Sequence, residues 1–192
     1  MTPSELVEPI AFVLATAMVV CNIRQVHWGW PLAILSSALY VWVFTAAKLY
    51  GDAALQILFI VLAAWGWRQW RRAPLQAARV TDHLQGHRGL RLLALWLVFW
   101  LALWFAIDYF LRSFTDSDAP LADAFVTSGS ILGTLLLARK FTANWGVWFV
   151  VNIVSTVLFV SKQLWLSAVL YALFAAMSVY GWRQWRRSAQ SI

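Results

Sequence analysis

Long apolar stretches alternate with short polar ones along almost the whole chain. Runs long enough to cross a ~30 Å hydrocarbon core, about 20 residues each, fall at 6–23, 29–47, 52–70, 92–111, 121–138, 145–161 and 165–182. The pattern predicts seven membrane-spanning helices. The one polar segment of any length, Arg71 to Arg91, carries Pro74, Asp82, His83, His87 and several arginines, and reads as a cytoplasmic linker. The expected division is a three-helix repeat over 1–72, the linker over 73–91, a fourth helix over 92–112 and a second three-helix repeat over 113–192.

The repeats are written in the sequence. Gly66-Trp67-Arg68-Gln69-Trp70-Arg71-Arg72 recurs unchanged as Gly181-Trp182-Arg183-Gln184-Trp185-Arg186-Arg187, at an offset of 115 residues. The same offset brings Phe59 to Phe174, Leu55 to Leu170, Ala53 to Ala168, Phe44 to Phe159 and Trp30 to Trp145. Two copies of one membrane unit are the mark of many transporters, which hold their substrate where the copies meet.

Charge gives the direction. Twelve lysines and arginines, among them Arg24, Arg68, Arg139, Lys140 and Arg187, fall on one side, against Lys48, Arg112 and Lys162 on the other. The basic-rich side faces the cytoplasm by the positive-inside rule. The N-terminus is then outside and the C-terminus inside. Both Trp-Arg ends share a side only if an even number of crossings separates them, so the fourth helix is an inverter between two parallel repeats. The expected fold is all-α, with seven helices in a 3+1+3 arrangement.

Composition agrees. Apolar residues make up 62% of the chain and charged ones 12%, about half the charge of a soluble domain. The net charge of +7 sits in short loops beside spans, where topology and anionic lipid account for it and nucleic acid is not needed. The single cysteine, Cys21, lies near the end of an apolar run and allows no disulfide within the chain. Met1 to Glu8 is acidic and lacks the basic region of a signal peptide.

Candidate chemistry concentrates in the second repeat. Trp145, Trp148 and Asn152 stand at i, i+3 and i+7, on one helical face, and Ser155 and Thr156 extend it. An asparagine in mid-span finds its partners inside the protein, because lipid offers none. It serves either to tie helices together or to meet a polar substrate. Thr127, Ser130 and Thr134 form a similar stripe, as do Ser167, Tyr171, Phe174 and Ser178, while Gln56 stands opposite Tyr171 in the repeat. Together they suggest a polar, aromatic cavity. Trp67, Trp70, Trp182 and Trp185, flanked by arginines, read as interfacial anchors. Asp108, the one acid well inside a span, is either a coupling carboxylate or the i,i+4 partner of Arg112.

There is no GxxxxGK phosphate loop, no metal-ligand spacing among His27, His83 and His87, and no catalytic constellation. The sequence implies no cofactor and argues against an enzyme.

Trp30-Pro31, Ser36-Ser37, Lys48-Leu49-Tyr50-Gly51-Asp52, Leu55-Gln56 and Gly66-Trp67 resemble the first repeat of the PnuC family of vitamin transporters. Trp145, Trp148 and Asn152 resemble that family's WxxWxxxN signature, and Asp123-Ala124, Thr127 and Arg139-Lys140 also fit. The resemblance covers almost the entire chain. It implies a SWEET-related 3+1+3 fold and facilitated diffusion of nicotinamide riboside across the bacterial inner membrane, drawn inward by phosphorylation. It also implies substrate contacts at Trp145, Trp148, Asn152 and Gln56, and a homotrimer.

The sequence reading is thus a vitamin nucleoside facilitator, with Thr127 and Tyr171 added to the site. Other members of the family are assigned to thiamine or riboflavin, which leaves those substrates open. A non-transporting membrane scaffold or signalling protein is the alternative from another class.

Overall fold

The computed structural model describes residues 3–46, 50–72, 87–115 and 118–190, which form seven helices. They are α1 (Pro3–Ile23), α2 (Gly29–Ala46), α3 (Tyr50–Arg72), α4 (His87–Phe114), α5 (Pro120–Ala138), α6 (Asn144–Ser161) and α7 (Trp165–Gln190). Among the described residues, α4, α5, α6 and α7 are long and apolar enough to cross a membrane, and shorter apolar stretches lie at Phe12–Ile23 and Gly29–Trp42. A helix is the natural form for such segments, since it pairs every interior backbone group with its own chain.

The chain divides into two compact units, Met1–Ala77 and Ala78–Ile192. In the first, α2 packs against both α1 and α3. In the second, α5 packs against α4 and α6, and α6 against α7. Helix α4 begins at His87, so the last five residues expected as linker are helical. Most of that expected linker, including His83, lies outside the described residues, as do Lys48 and Leu49.

The turns are made the same way in both units. Gln25 and Lys140, 115 residues apart, each take a left-handed conformation at φ 56°. Behind them, Gln25 N–H donates to Asn22 C=O at 3.1 Å and Val26 N–H to Cys21 C=O at 2.8 Å. The matching bonds, Lys140 to Leu137 at 2.9 Å and Phe141 to Leu136 at 3.0 Å, close α5. This pair of hydrogen bonds caps the helix's last free carbonyls. A non-glycine residue costs about 1–2 kcal/mol in that conformation, and the cap offsets it. Lys140 is also buried, and loss of hydration there pushes its ammonium below the ordinary lysine value.

The repeated heptads lie within helices, and two of their tryptophans face inward. Trp70 meets Trp30 edge-on at 5.6 Å and 83°, and Trp185 meets Trp145 at 5.5 Å and 87°. Trp70 and Trp185 are 5% and 0% exposed, so they are packing residues and not interfacial anchors. The anchor reading suits Trp182, which is 44% exposed. Trp67 is half-buried, with the Arg71 guanidinium 5.7 Å above its ring.

Gly66 and Gly181 complete the motif. A Cβ on Gly66 would overlap the ring of Trp30, and one on Gly181 would stand 2.7 Å from two ring atoms of Trp145. The missing side chain lets each indole lie flat on the facing helix. Each unit therefore closes its last two helices with the same arrangement of two tryptophans and one glycine.

Candidate substrate site on the second unit

The polar interior of the second unit is built around α6. Asn152 is buried, and its Nδ2 donates to Ser178 Oγ on α7 at 3.4 Å. Ser178 Oγ in turn donates to the Phe174 carbonyl at 2.8 Å. The backbone carbonyl of Asn152 accepts from Thr156 Oγ1 at 2.7 Å. Ser155, one turn on and buried, has an Oγ without a partner among the described residues. An unmet hydroxyl at such a depth is costly, and a cavity that admits a polar guest or water relieves it.

The expected stripe is split between two neighbours. Trp145 and Asn152 face α7, through Gly181 and Ser178. Trp148 faces α5, where a Cβ on Gly133 would stand 2.9 Å from its indole. Val151 takes the same close seat over Gly129. Gly129 and Gly133 form a small-xxx-small spacing, visible in the sequence and not used in reading it, that lets helices approach closely. Trp145 is buried with its ring against Gly181 and Trp185, and its indole N–H has no acceptor among the described residues. Trp148 is half-buried and keeps more of its surface open.

Thr127 lies half-buried on α5, beside the buried Ser128. Tyr171 on α7 is half-buried against Phe159, at 5.0 Å between ring centres. Gln56 is half-buried on α3 of the first unit. The structure therefore joins Asn152 to Ser178, with Trp148 on the α5 side of the same helix. Ser178 stood on a noted stripe without being singled out, and its signal was a mid-span hydroxyl one helix from an asparagine.

Among the described residues, no cluster of histidine, cysteine or carboxylate groups has the makings of a metal site. Among the described residues of the second unit, none of the buried ones is a carboxylate. Asp108 is held by Arg112, whose Nε donates to its two oxygens at 2.8 and 3.0 Å. A separate groove of about 360 Å³, between α4, the start of α5 and α6, is lined by Trp104, Leu121, Phe125 and Val154. It is almost wholly apolar, and none of the expected site residues lines it.

The chain resembles known proteins along nearly its full length. Residues 5–187 match the family model described as nicotinamide mononucleotide transporter. The riboflavin/roseoflavin transporter RibM of Streptomyces davaonensis is 25% identical over 177 residues, 90% of this chain and 81% of its own. The nicotinamide riboside transporter PnuC of Escherichia coli is 24% identical over 179 residues, 82% of this chain and 75% of its own. The crystal structure of the vitamin B3 transporter PnuC superposes with a TM-score of 0.77 at 20% identity, covering 99% of this chain and 84% of that one. The fold is thus shared with a solved transporter, and with the family model spanning residues 5–187, this chain belongs to the nicotinamide mononucleotide transporter (PnuC) family.

Proposed function

We propose that this protein carries nicotinamide riboside across the bacterial inner membrane by facilitated diffusion. The family match over residues 5–187 carries this reading, and the relatives named for nicotinamide riboside support the substrate. Its seven helices form two parallel three-helix repeats joined by α4 as inverter, with the N-terminus outside and the C-terminus in the cytoplasm. The 115-residue offset between Gln25 and Lys140, and between the Trp30–Trp70 and Trp145–Trp185 pairs, supports that arrangement.

The site we propose comprises Trp145, Trp148, Asn152, Thr127, Tyr171 and Gln56. Trp148 presents an indole for a flat cationic ring, an interaction of about 0.5–2 kcal/mol. Asn152 supplies an amide in a water-poor interior. Trp145, whose ring is packed on Gly181, offers its unpartnered N–H instead of an open face. Gln56, Thr127 and Tyr171 enter on the family resemblance and on their half-buried helical positions. A homotrimer is part of the same proposal.

A second reading has a specific basis. The riboflavin transporter RibM matches 90% of this chain, and a flat isoalloxazine suits an indole as well as a pyridinium does. Binding of nicotinamide riboside, thiamine and riboflavin to the purified protein, followed by uptake into proteoliposomes, separates the readings. Saturable uptake of riboflavin alone would replace the substrate; no saturable flux of any of the three would remove the transporter reading.

A further inference from the structure

Resting on the site just proposed, we infer that Ser178 is a positioning residue that fixes the polarity of the Asn152 amide. A serine hydroxyl has one proton. That of Ser178 is committed to the Phe174 carbonyl at 2.8 Å, so toward Asn152 the oxygen acts only as an acceptor. Asn152 therefore turns its NH₂ to Ser178, at 3.4 Å, because the flipped amide would set two acceptors against each other. Its Oδ1 is thereby left facing away from Ser178. The site thus shows a substrate a fixed acceptor. It selects a group that can donate, such as a carboxamide N–H or a hydroxyl, over one that only accepts, such as a carboxylate.

This device belongs to the second unit alone. At the equivalent positions of the first, Ser37 replaces Asn152 and Ala63 replaces Ser178. Ala63 is buried at 3% exposure, against 2% for Ser178. The packing at this place in the repeat therefore accepts a methyl, and Ser178→Ala removes a hydrogen bond without opening a large void.

The test uses Ser178→Ala and Ser178→Thr in the full-length purified protein, with two readouts. The first needs no ligand: the side-chain amide protons of Asn152, identified by their loss in Asn152→Leu, are followed by hydrogen exchange. One of the pair exchanges slowly in the parent and in Ser178→Thr, and quickly in Ser178→Ala. The second is the affinity ratio between nicotinamide riboside and nicotinic acid riboside, which bears a carboxylate in place of the carboxamide. The loss of one hydrogen bond predicts a fall in nicotinamide riboside affinity of about three- to ten-fold in Ser178→Ala. The ratio moves toward unity as the freed amide turns its NH₂ to the carboxylate, and Ser178→Thr restores it. Parental exchange and a parental ratio in Ser178→Ala would overturn the inference. Slow exchange lost in Ser178→Ala, with neither compound binding the parent, would remove the nicotinamide riboside reading and leave the positioning role standing.

Discussion

Gly181 lies flat against the indole of Trp145, so close that a Cβ would stand 2.7 Å from two of its ring atoms. No rotamer change of a methyl relieves such a clash, and helix α7 would have to move away from α6. Gly181→Ala is expected to destabilise the protein by about 1–3 kcal/mol, the usual cost of overpacking. Gly66→Ala should do the same through Trp30. Gly146 is the control, because the nearest atom to its added Cβ is 3.7 Å away. There alanine should be neutral, or stabilise by up to about 1 kcal/mol through its better helix propensity. Thermal unfolding in detergent reads all three, and equal melting temperatures for Gly181→Ala and Gly146→Ala would discard the close-packing account.

The tryptophans separate by the same logic. Trp185 and Trp70 are buried against Trp145 and Trp30, so alanine at either should cost about 3–5 kcal/mol of stability and lower expression. Trp148→Ala should loosen the α5 contact at Gly133 but weaken binding as well, by about 1–3 kcal/mol, because its half-buried ring keeps surface open to a ligand. Trp145→Ala should lower both, whereas Trp145→Phe, which keeps a ring against Gly181 but has no N–H to donate, should keep part of the stability and lose the binding contribution. Isothermal titration beside thermal unfolding distinguishes them. A folded Trp70→Ala protein that has lost binding would mean that the site lies elsewhere.

Much of this was legible in the sequence. Most helix limits fell within a few residues of the apolar runs, because a hydrocarbon core sets the length of what crosses it, but α4 starts earlier, at His87, and α7 runs on past the apolar stretch to Gln190. The i,i+4 spacing of Asp108 and Arg112 sufficed to foresee their ion pair. Trp70 and Trp185 were misread because a tryptophan among arginines at a helix end looks interfacial. Their burial is set by Trp30 and Trp145, on the preceding helix and about forty residues earlier. Periodicity also put Trp145, Trp148 and Asn152 on one face, which is correct, but that face spans about 60° of helix. It is wide enough to touch two neighbours, and only the packing shows which residue meets α5 and which meets α7.

Transport should need no ion gradient. The one acid in mid-span, Asp108, already has both oxygens occupied by Arg112, and among the described residues of the second unit no carboxylate is buried. Counterflow of nicotinamide riboside should therefore proceed in proteoliposomes with no imposed gradient, and Asp108→Asn should transport as the parent does. Strict dependence on protons or sodium, abolished by Asp108→Asn, would make that carboxylate the coupling group instead.

Asn152→Leu should abolish specific binding while leaving the protein folded. Leucine has the same branched skeleton of heavy atoms as asparagine, and suits a helix interface in hydrocarbon. Ser178 keeps its bond to the Phe174 carbonyl, so the substitution strands no donor. What disappears is the buried amide that meets Ser178. Ligand titration of the purified variant, alongside its melting temperature, is the measurement. Parental affinity in a folded Asn152→Leu protein would take Asn152 out of the site, whereas an unfolded one would make the Asn152–Ser178 pair a tie between α6 and α7.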